Sequence, residues 1–143
     1  MQIRCFPVTT PEDMATCLAI RQKVFVDEQH VPLDLEIDGL DSAARHFAVK
    51  GDGALIATCR IRLTGSAAKI ERVAVLKEHR SRGIGRVLMK YILQEISKAG
   101  DIQLFKLSAQ AEAVPFYEKL GFRTRGSEYM DAGIPHYDMV LEK

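Results

Sequence analysis

Apolar positions recur with two different periods along this chain, and the changes of period divide it into elements. Residues 3–6 read as a strand, halted by Pro7. Thr10 followed by Pro11 has the form of a helix N-cap with proline in the first turn. Met14, Cys17, Leu18, Val24 and Phe25 then recur at roughly helical spacing, which predicts a helix ending near Gln29. Residues 30–44 contain Pro32 and Gly39, keep no period, and read as a long loop.

Residues 46–50 and 54–63 read as two strands joined by the turn Gly51-Asp52-Gly53. Residues 68–76 read as a third strand after Gly65-Ser66. Alternation there sets Lys69, Glu71, Val73 and Val75 on one face and Ile70, Arg72, Ala74 and Leu76 on the other. From Ile84 the period lengthens. Ile84, Val87, Leu88, Tyr91, Ile92 and Ile96 form one helical stripe, stopped at Gly100. Residues 102–107 read as a strand, and 111–120 as a short helix with Pro115 inside it and Gly121 after it. Residues 122–125 and 136–141 close the chain as a hairpin. The order β-α-β-β-β-α-β-α-β-β predicts the α+β (mixed α/β) class, a mixed sheet with helices on its faces and parallel pairing around residues 70–107.

Composition narrows the function classes. A length of 143 residues fits one domain, 1–143, able to bury about 70% of its unfolded surface. With 20 Lys plus Arg against 19 Asp plus Glu, the net charge is +1. That balance argues against a general nucleic-acid or membrane-surface binder. No apolar run approaches the roughly 20 residues a spanning helix needs, and the N-terminus lacks a secretory pattern. Cys5, Cys17 and Cys59 are odd in number and lack metal-ligand spacing, which predicts reduced thiols in a cytoplasmic protein. The four histidines are scattered, so no metal centre is expected.

The charge is unevenly distributed. Residues 27–41 hold six acids (Asp27, Glu28, Asp34, Glu36, Asp38, Asp41) and no Lys or Arg, whereas residues 69–90 carry +5. Within the basic stretch a strand runs into Arg80-Ser81-Arg82-Gly83-Ile84-Gly85-Arg86 and opens a helix. Exposed N–H groups, a positive helix end and two glycines suit a phosphate there. Arg80, Arg82 and Arg86 add charge fitted to a diphosphate. The stretch lacks the Gly-Lys-Ser/Thr of a P-loop and the three-glycine dinucleotide fingerprint.

Arg80-x-x-Gly83-x-Gly85 after Val73-Ala74-Val75 resembles motif A of the GCN5-related N-acetyltransferase (GNAT) superfamily. Residues 113–122, Ala-Val-Pro-Phe-Tyr-Glu-Lys-Leu-Gly-Phe, resemble its motif B, one helix and one strand downstream. Residues 24–29, 71–73 and 131–136 further resemble the bacterial YjcF/ElaA-type branch. The resemblance implies the GNAT fold, a mostly antiparallel twisted sheet whose fourth and fifth strands are parallel and splayed, and acetyl transfer from acetyl-CoA to an amine.

By correspondence, the backbone of Val73 meets the acetyl carbonyl and Val75 pairs with the pantetheine, with Ala74 between them. The diphosphate lies on the N–H groups of Arg82, Gly83, Ile84, Gly85 and Arg86, with Arg80 and Ser81 beside it. Tyr117 matches the family's usual general acid, and Phe116 is expected to be the packed neighbour. Gln110 stands where members often carry asparagine, so its contact with the cofactor differs in reach.

Glu71 is a candidate base, on the reading that it shares a face with Val73; it is equally a salt-bridge partner for Arg60 or Arg62. His136 is a second candidate base, or a hydrogen-bonded histidine at a strand start. The acidic segment, through Glu28 and Glu36, and His136 are expected to face a small-molecule or lysine-like amine. Two other readings stand beside the enzyme. One is a noncatalytic acyl-CoA-binding module. The other is an acyl-homoserine-lactone-synthase-like acyltransferase, suggested by Arg21-x-x-Val24-Phe25. Nucleic acid and membrane are not expected partners; a homodimer is compatible with the resemblance.

Overall fold

The computed structural model describes residues 1–98 and 100–143. Its strands are β1 (Ile3–Pro7), β2 (Arg45–Gly51), β3 (Ala54–Thr64), β4 (Ala67–Val75), β5 (Leu104–Gln110), β6 (Arg123–Asp131) and β7 (Ile134–Glu142). Its α-helices are α1 (Pro11–Arg21), α2 (Leu33–Glu36), α3 (Ile84–Ser97) and α4 (Val114–Glu118). The strands form one sheet in the order β1-β2-β3-β4-β5-β7-β6. Every neighbouring pair is antiparallel except β4 with β5, which is parallel. The α+β class and the parallel pair therefore stand as the sequence predicts.

Local signals explain most boundaries. Thr10 Oγ1 accepts the Asp13 N–H at 3.2 Å, with Pro11 in the first turn, so α1 starts where Thr-Pro predicts. The helix does run to Glu28, but its second half, Gln22–Glu28, is π-helical. Bonding from i to i+5 turns the chain less per residue, so the Glu28 and Gln29 side chains leave the axis in directions an α-helix would not give. Residues 30–44 are not featureless: α2 and a 3₁₀ turn, Asp41–Ala43, lie within them.

The sheet separates two apolar layers. On one face α3 lays Ile84, Leu88, Ile92 and Ile96 against Phe47, Ile61, Ile70, Phe105 and Met139. Leu88, Ile92 and Ile96 are fully buried, each contributing roughly 1.5–3 kcal/mol. On the other face α1 and its π extension bring Cys17, Ile20 and Val24 against Phe6, Ala48 and Ala74. Among the described residues no helix is long and apolar enough to cross a membrane.

Two strand readings change. β5 continues to Gln110, three residues past the predicted end. The last hairpin is longer than 122–125 and 136–141, because β6 runs to Asp131 and turns at Ala132 (φ 50°) and Gly133 (φ 75°). Positive φ at both central residues matches the right-handed twist of a two-residue hairpin. β6 is exposed along its whole length, so it has no buried face to print an alternation into the sequence.

Candidate active site

The site begins at an irregularity in β4. Ile61 pairs with Ile70 and Arg60 with Glu71, but the next registered pair is Thr58 with Ala74. β4 therefore carries one extra residue, a β-bulge, and Arg72 adopts φ 55° within it. Side chains change faces there. Ile70 and Ala68 belong to the α3 layer, yet beyond the bulge Val73 and Val75 pack on that layer while Ala74 turns to the α1 side. The expectation that Glu71 and Val73 share a face is thus corrected, as is the grouping of Ala74 with Ile70: a period of two does not survive an inserted residue.

The bulge also ends the parallel ladder. β4 and β5 pair from Ala67 with Leu104 to Ile70 with Leu107 and no further. Past that point the strands border a cleft of about 1120 Å³, lined by Val73, Val75, Gly83, Gly85, Phe116 and Tyr117, and also by Gln29, Ser108, Tyr129 and His136. The β4 edge at Val73–Val75 thus faces open space instead of a partner strand.

At the outer end of the cleft lies the start of α3. A 3₁₀ turn, Lys77–His79, leads through Ser81 (φ 63°) and Gly83 (φ 79°) into the helix. No side chain caps α3 and no acidic residue occupies its first turn, so its leading N–H groups are free for an anion. A Cβ on Gly83 would meet nothing within 4 Å, which leaves this backbone open to a ligand. Gly85 has a different reason: a Cβ there would lie 3.3 Å from Phe116 Cζ. His79 lines the cleft with its Nδ1 buried and without a hydrogen-bond partner among the described residues. These features fit an anionic diphosphate at the helix start.

Ser81, Ile84 and Arg86 line this end of the cleft and Arg82 does not, while the Ile84 side chain belongs to the core. Of Ile84 only the backbone can serve. Arg80 is held on both sides. Its Nε donates to the Val75 carbonyl at 3.0 Å, and its two terminal nitrogens meet the Glu28 carboxylate at 2.8 and 3.0 Å. Glu28, expected toward an amine, instead joins the basic turn. The next residue, Gln29, accepts from Gln110 Nε2 at 2.7 Å. The end of the π segment therefore spans the cleft mouth, one side chain to each flank.

Tyr117 sits on α4 with its ring edge-on to Phe116 and Phe122, at centroid distances of 5.0 and 6.0 Å. Of the two neighbours Tyr117 is the more buried, at 8% exposure, reversing the expectation that Phe116 is the core residue. Phe116 lines the cleft beside Gly85. The Tyr117 hydroxyl has no hydrogen-bond partner among the described residues. Burial, and secondarily Cys59, raise its pKa well above the ordinary phenol value, so it stays protonated as an acid must.

The acidic segment has another partner than an amine. Arg21 donates from Nε to Glu36 and from Nη1 to Asp41, both at 2.8 Å. Arg60, fully buried, grips Asp38 with two bonds at 2.8 and 2.7 Å and also meets Asp41 and Glu71. Arg62 donates to Glu71 at 2.6 Å, and Arg72 contacts Glu36 and Asp38 at 3.3 Å. Glu36 borders the cleft, but it is 4% exposed and its carboxylate is already met by Arg21 and Arg72. Burial raises the Glu71 pKa, but the Arg62 hydrogen bond and the charges of Arg60, Arg62 and Lys69 outweigh it and hold the carboxyl below its ordinary value. A carboxylate so held is a poor proton acceptor.

His136 is arranged differently. It lies opposite Gln110 on β5 and opposite Tyr129 on β6, and its ring stacks on Tyr129 at 6.0 Å. Its Nδ1 is 2.7 Å from the Ile134 carbonyl. A carbonyl only accepts, so Nδ1 carries a proton, and Nε2, without a partner among the described residues, is left as the basic nitrogen. Beside it runs a chain the sequence reading missed: Ser108 bonds Tyr129, whose hydroxyl donates to Asp138 at 2.7 Å. Only strand register brings these three together, so spacing along the chain held no sign of them. Among the described residues no cluster could hold a metal ion.

A family profile for the acetyltransferase (GNAT) domain matches residues 6–143. The uncharacterized N-acetyltransferase YjcF of Bacillus subtilis is 40% identical over 132 residues, covering 92% of this chain and 94% of that one. Among solved structures, Escherichia coli ElaA superposes with a TM-score of 0.89 at 28% identity, covering 99% of this chain and all of that one. An acyl-CoA N-acyltransferase from Pseudomonas aeruginosa gives 0.85 at 30% identity, with 97% of each chain covered.

Proposed function

The chain belongs to the GNAT acetyltransferase family and is an acyltransferase; from that premise we propose that it moves the acetyl group of acetyl-CoA to a primary amine by direct attack, with both substrates bound together. One observation carries the reading: a β4 edge unpaired with β5 runs from the bulge toward an uncapped helix start, with Tyr117 lining the same cleft.

When bound, acetyl-CoA supplies an activated thioester that needs no nucleophile from the protein. The N–H groups at the start of α3, with Arg86 and Ser81, hold the diphosphate. The free edge offers the backbone groups of Val73 and the N–H of Val75, the Val75 carbonyl being held by Arg80, and Val73 N–H is the donor for a developing oxyanion. Tyr117 gives its proton to the leaving sulfur. His136, through Nε2, takes the proton of the attacking amine, the role that Glu71, committed to arginines, is poorly disposed to fill. The free thiols Cys5, Cys17 and Cys59 support a cytoplasmic setting.

Thermal melting with acetyl-CoA is the first test. At about 100 times Kd, binding stabilises by about 2.7 kcal/mol, a clear upward shift in Tm. No shift with either acetyl-CoA or CoA would sink the reading. Thiol release in the presence of an amine panel then separates an enzyme from a binding module.

A further inference from the structure

The segment after the π-helix is polarised the wrong way for a surface segment. In Leu33-Asp34-Leu35-Glu36-Ile37-Asp38 the carboxylates of Glu36 and Asp38 turn inward to Arg21, Arg60 and Arg72. Their apolar neighbours are driven out: Leu33 is 45% exposed, Leu35 52% and Ile37 59%. Arg72 fixes this arrangement from below, donating to the backbone carbonyls of Leu35 and Glu36. The three apolar side chains are thus left outside a charged base, and of them Leu35 lines the cleft.

Across the cleft is the face of the sheet opposite α3. Leu107, Ala109 and Met139 point into the α3 layer, so alternation turns Ser108, His136 and Asp138 the other way. Asp138 is exposed and forms no ion pair among the described residues, although Arg125 stands opposite it in the β6–β7 register. It is oriented by Tyr129, which is itself bonded to Ser108. Ile134, at the start of β7, completes an apolar wall beside this polar end. The cleft therefore offers one negative, hydrogen-bonded end next to the basic nitrogen of His136, and an apolar flank.

We infer that this face is the acceptor site and that it takes a primary amine with an apolar body, the ammonium meeting Asp138 and the body lying against Leu35 and Ile134. The inference rests on the acetyl-transfer reading above and adds the class of amine. The ammonium binds at Asp138, and its proton passes to His136 Nε2. The amine nitrogen then forms the new C–N bond as the C–S bond breaks and the Tyr117 proton goes to sulfur; the second proton shed by nitrogen as the amide forms restores the Tyr117 hydroxyl, and His136 releases the first to water. Polar di- and polyamines gain the carboxylate contact but lose the flank, so they are the weaker acceptors.

The test compares 2-phenylethylamine with putrescine, following thiol release from acetyl-CoA. The wild-type chain is expected to favour 2-phenylethylamine by at least about tenfold in kcat/KM. Leu35→Ser should lower kcat/KM for 2-phenylethylamine by about fivefold, leave putrescine within about twofold, and leave the acetyl-CoA melting shift intact, with Leu35→Met restoring it. Asp138→Asn should raise KM for both amines by about tenfold or more without altering that shift.

Turnover of both amines with putrescine equal or better, or an unchanged preference in Leu35→Ser, would overturn the inference while sparing acetyl transfer. So would sedimentation in which Leu35→Ser converts a dimer to monomer, since Leu35 would then be a self-contact. Failure of acetyl-CoA to bind, or of any amine to be acetylated, would remove both readings.

Discussion

Glu71→Gln keeps the shape of the side chain and removes its charge, which makes it a sharp test of what the bulge and the arginines do. Glu71 accepts from Arg62 at 2.6 and 3.1 Å and from Arg60 at 3.0 and 3.2 Å, and its side chain is 12% exposed. Removing one partner of a buried pair costs about 3–5 kcal/mol. Arg60 keeps Asp38 and Asp41 as counter-charges, and Arg62 is 30% exposed to water. The expected loss is therefore smaller, about 2 kcal/mol, in line with one charged hydrogen-bonding group.

For a chain of this length that lowers Tm by about 6–8 °C. The folded-state pKa is depressed, so the stabilisation is present above the unfolded value and is lost as pH falls through the folded one. The gap between wild type and variant should hold near neutral pH and close on acidification below about pH 4. Melting curves across that range measure it. At a temperature where both proteins are folded, kcat/KM should change by less than about threefold, because loss of a general base costs about 10²–10⁴. A variant that melts with wild type yet loses about a hundredfold in kcat/KM would refute the ion-pair role and restore Glu71 as the base.

Tyr117→Phe should lower kcat by about a hundredfold and leave the acetyl-CoA melting shift unchanged; equal loss of both would reduce Tyr117 to packing. Glu28→Gln releases Arg80 from a partly exposed pair worth about 0.2–1 kcal/mol, so calorimetry should find CoA bound about 1.5–5 times more tightly. Weaker binding would mean that the pair holds the site open. Gly83→Ala must carry a Cβ at φ 79°, at a cost of about 1–2 kcal/mol, and should both lower Tm and weaken CoA binding. A variant unchanged in both would remove the argument for backbone contact there.

What the sequence disclosed divides along physical lines. Thr10-Pro11, Gly51-Asp52-Gly53 and the stripe on α3 are local signals, each needing only neighbours within a turn or two, and each is realised, save that on α3 Val87 stays exposed and Met89 is buried instead. The basic turn is likewise local, so Ser81, Gly83 and Arg86 stand where the motif puts them. The bulge at Arg72 has no such signal, because an arginine at positive φ interrupts a pattern that reads as unbroken alternation. Charge counting found the acidic segment but could not find its partners. Those lie 15 to 52 residues away and are brought near only by the fold. The Ser108, Tyr129 and Asp138 chain fails for the same reason, since it is written in strand register.

The inward carboxylates carry a consequence for engineering. Positions 36, 38 and 41 act as tethered counter-ions for guanidinium groups inside the molecule, so the segment cannot be excised or swapped wholesale without leaving those cations unbalanced. Positions 33, 35 and 37 carry no such duty and are exposed, with 35 at the border of the cleft. A library that randomises these three and holds the acids fixed would sample new binding surfaces on an unchanged foundation. The same alternation that makes the segment look misfolded on the surface makes it a modular display site.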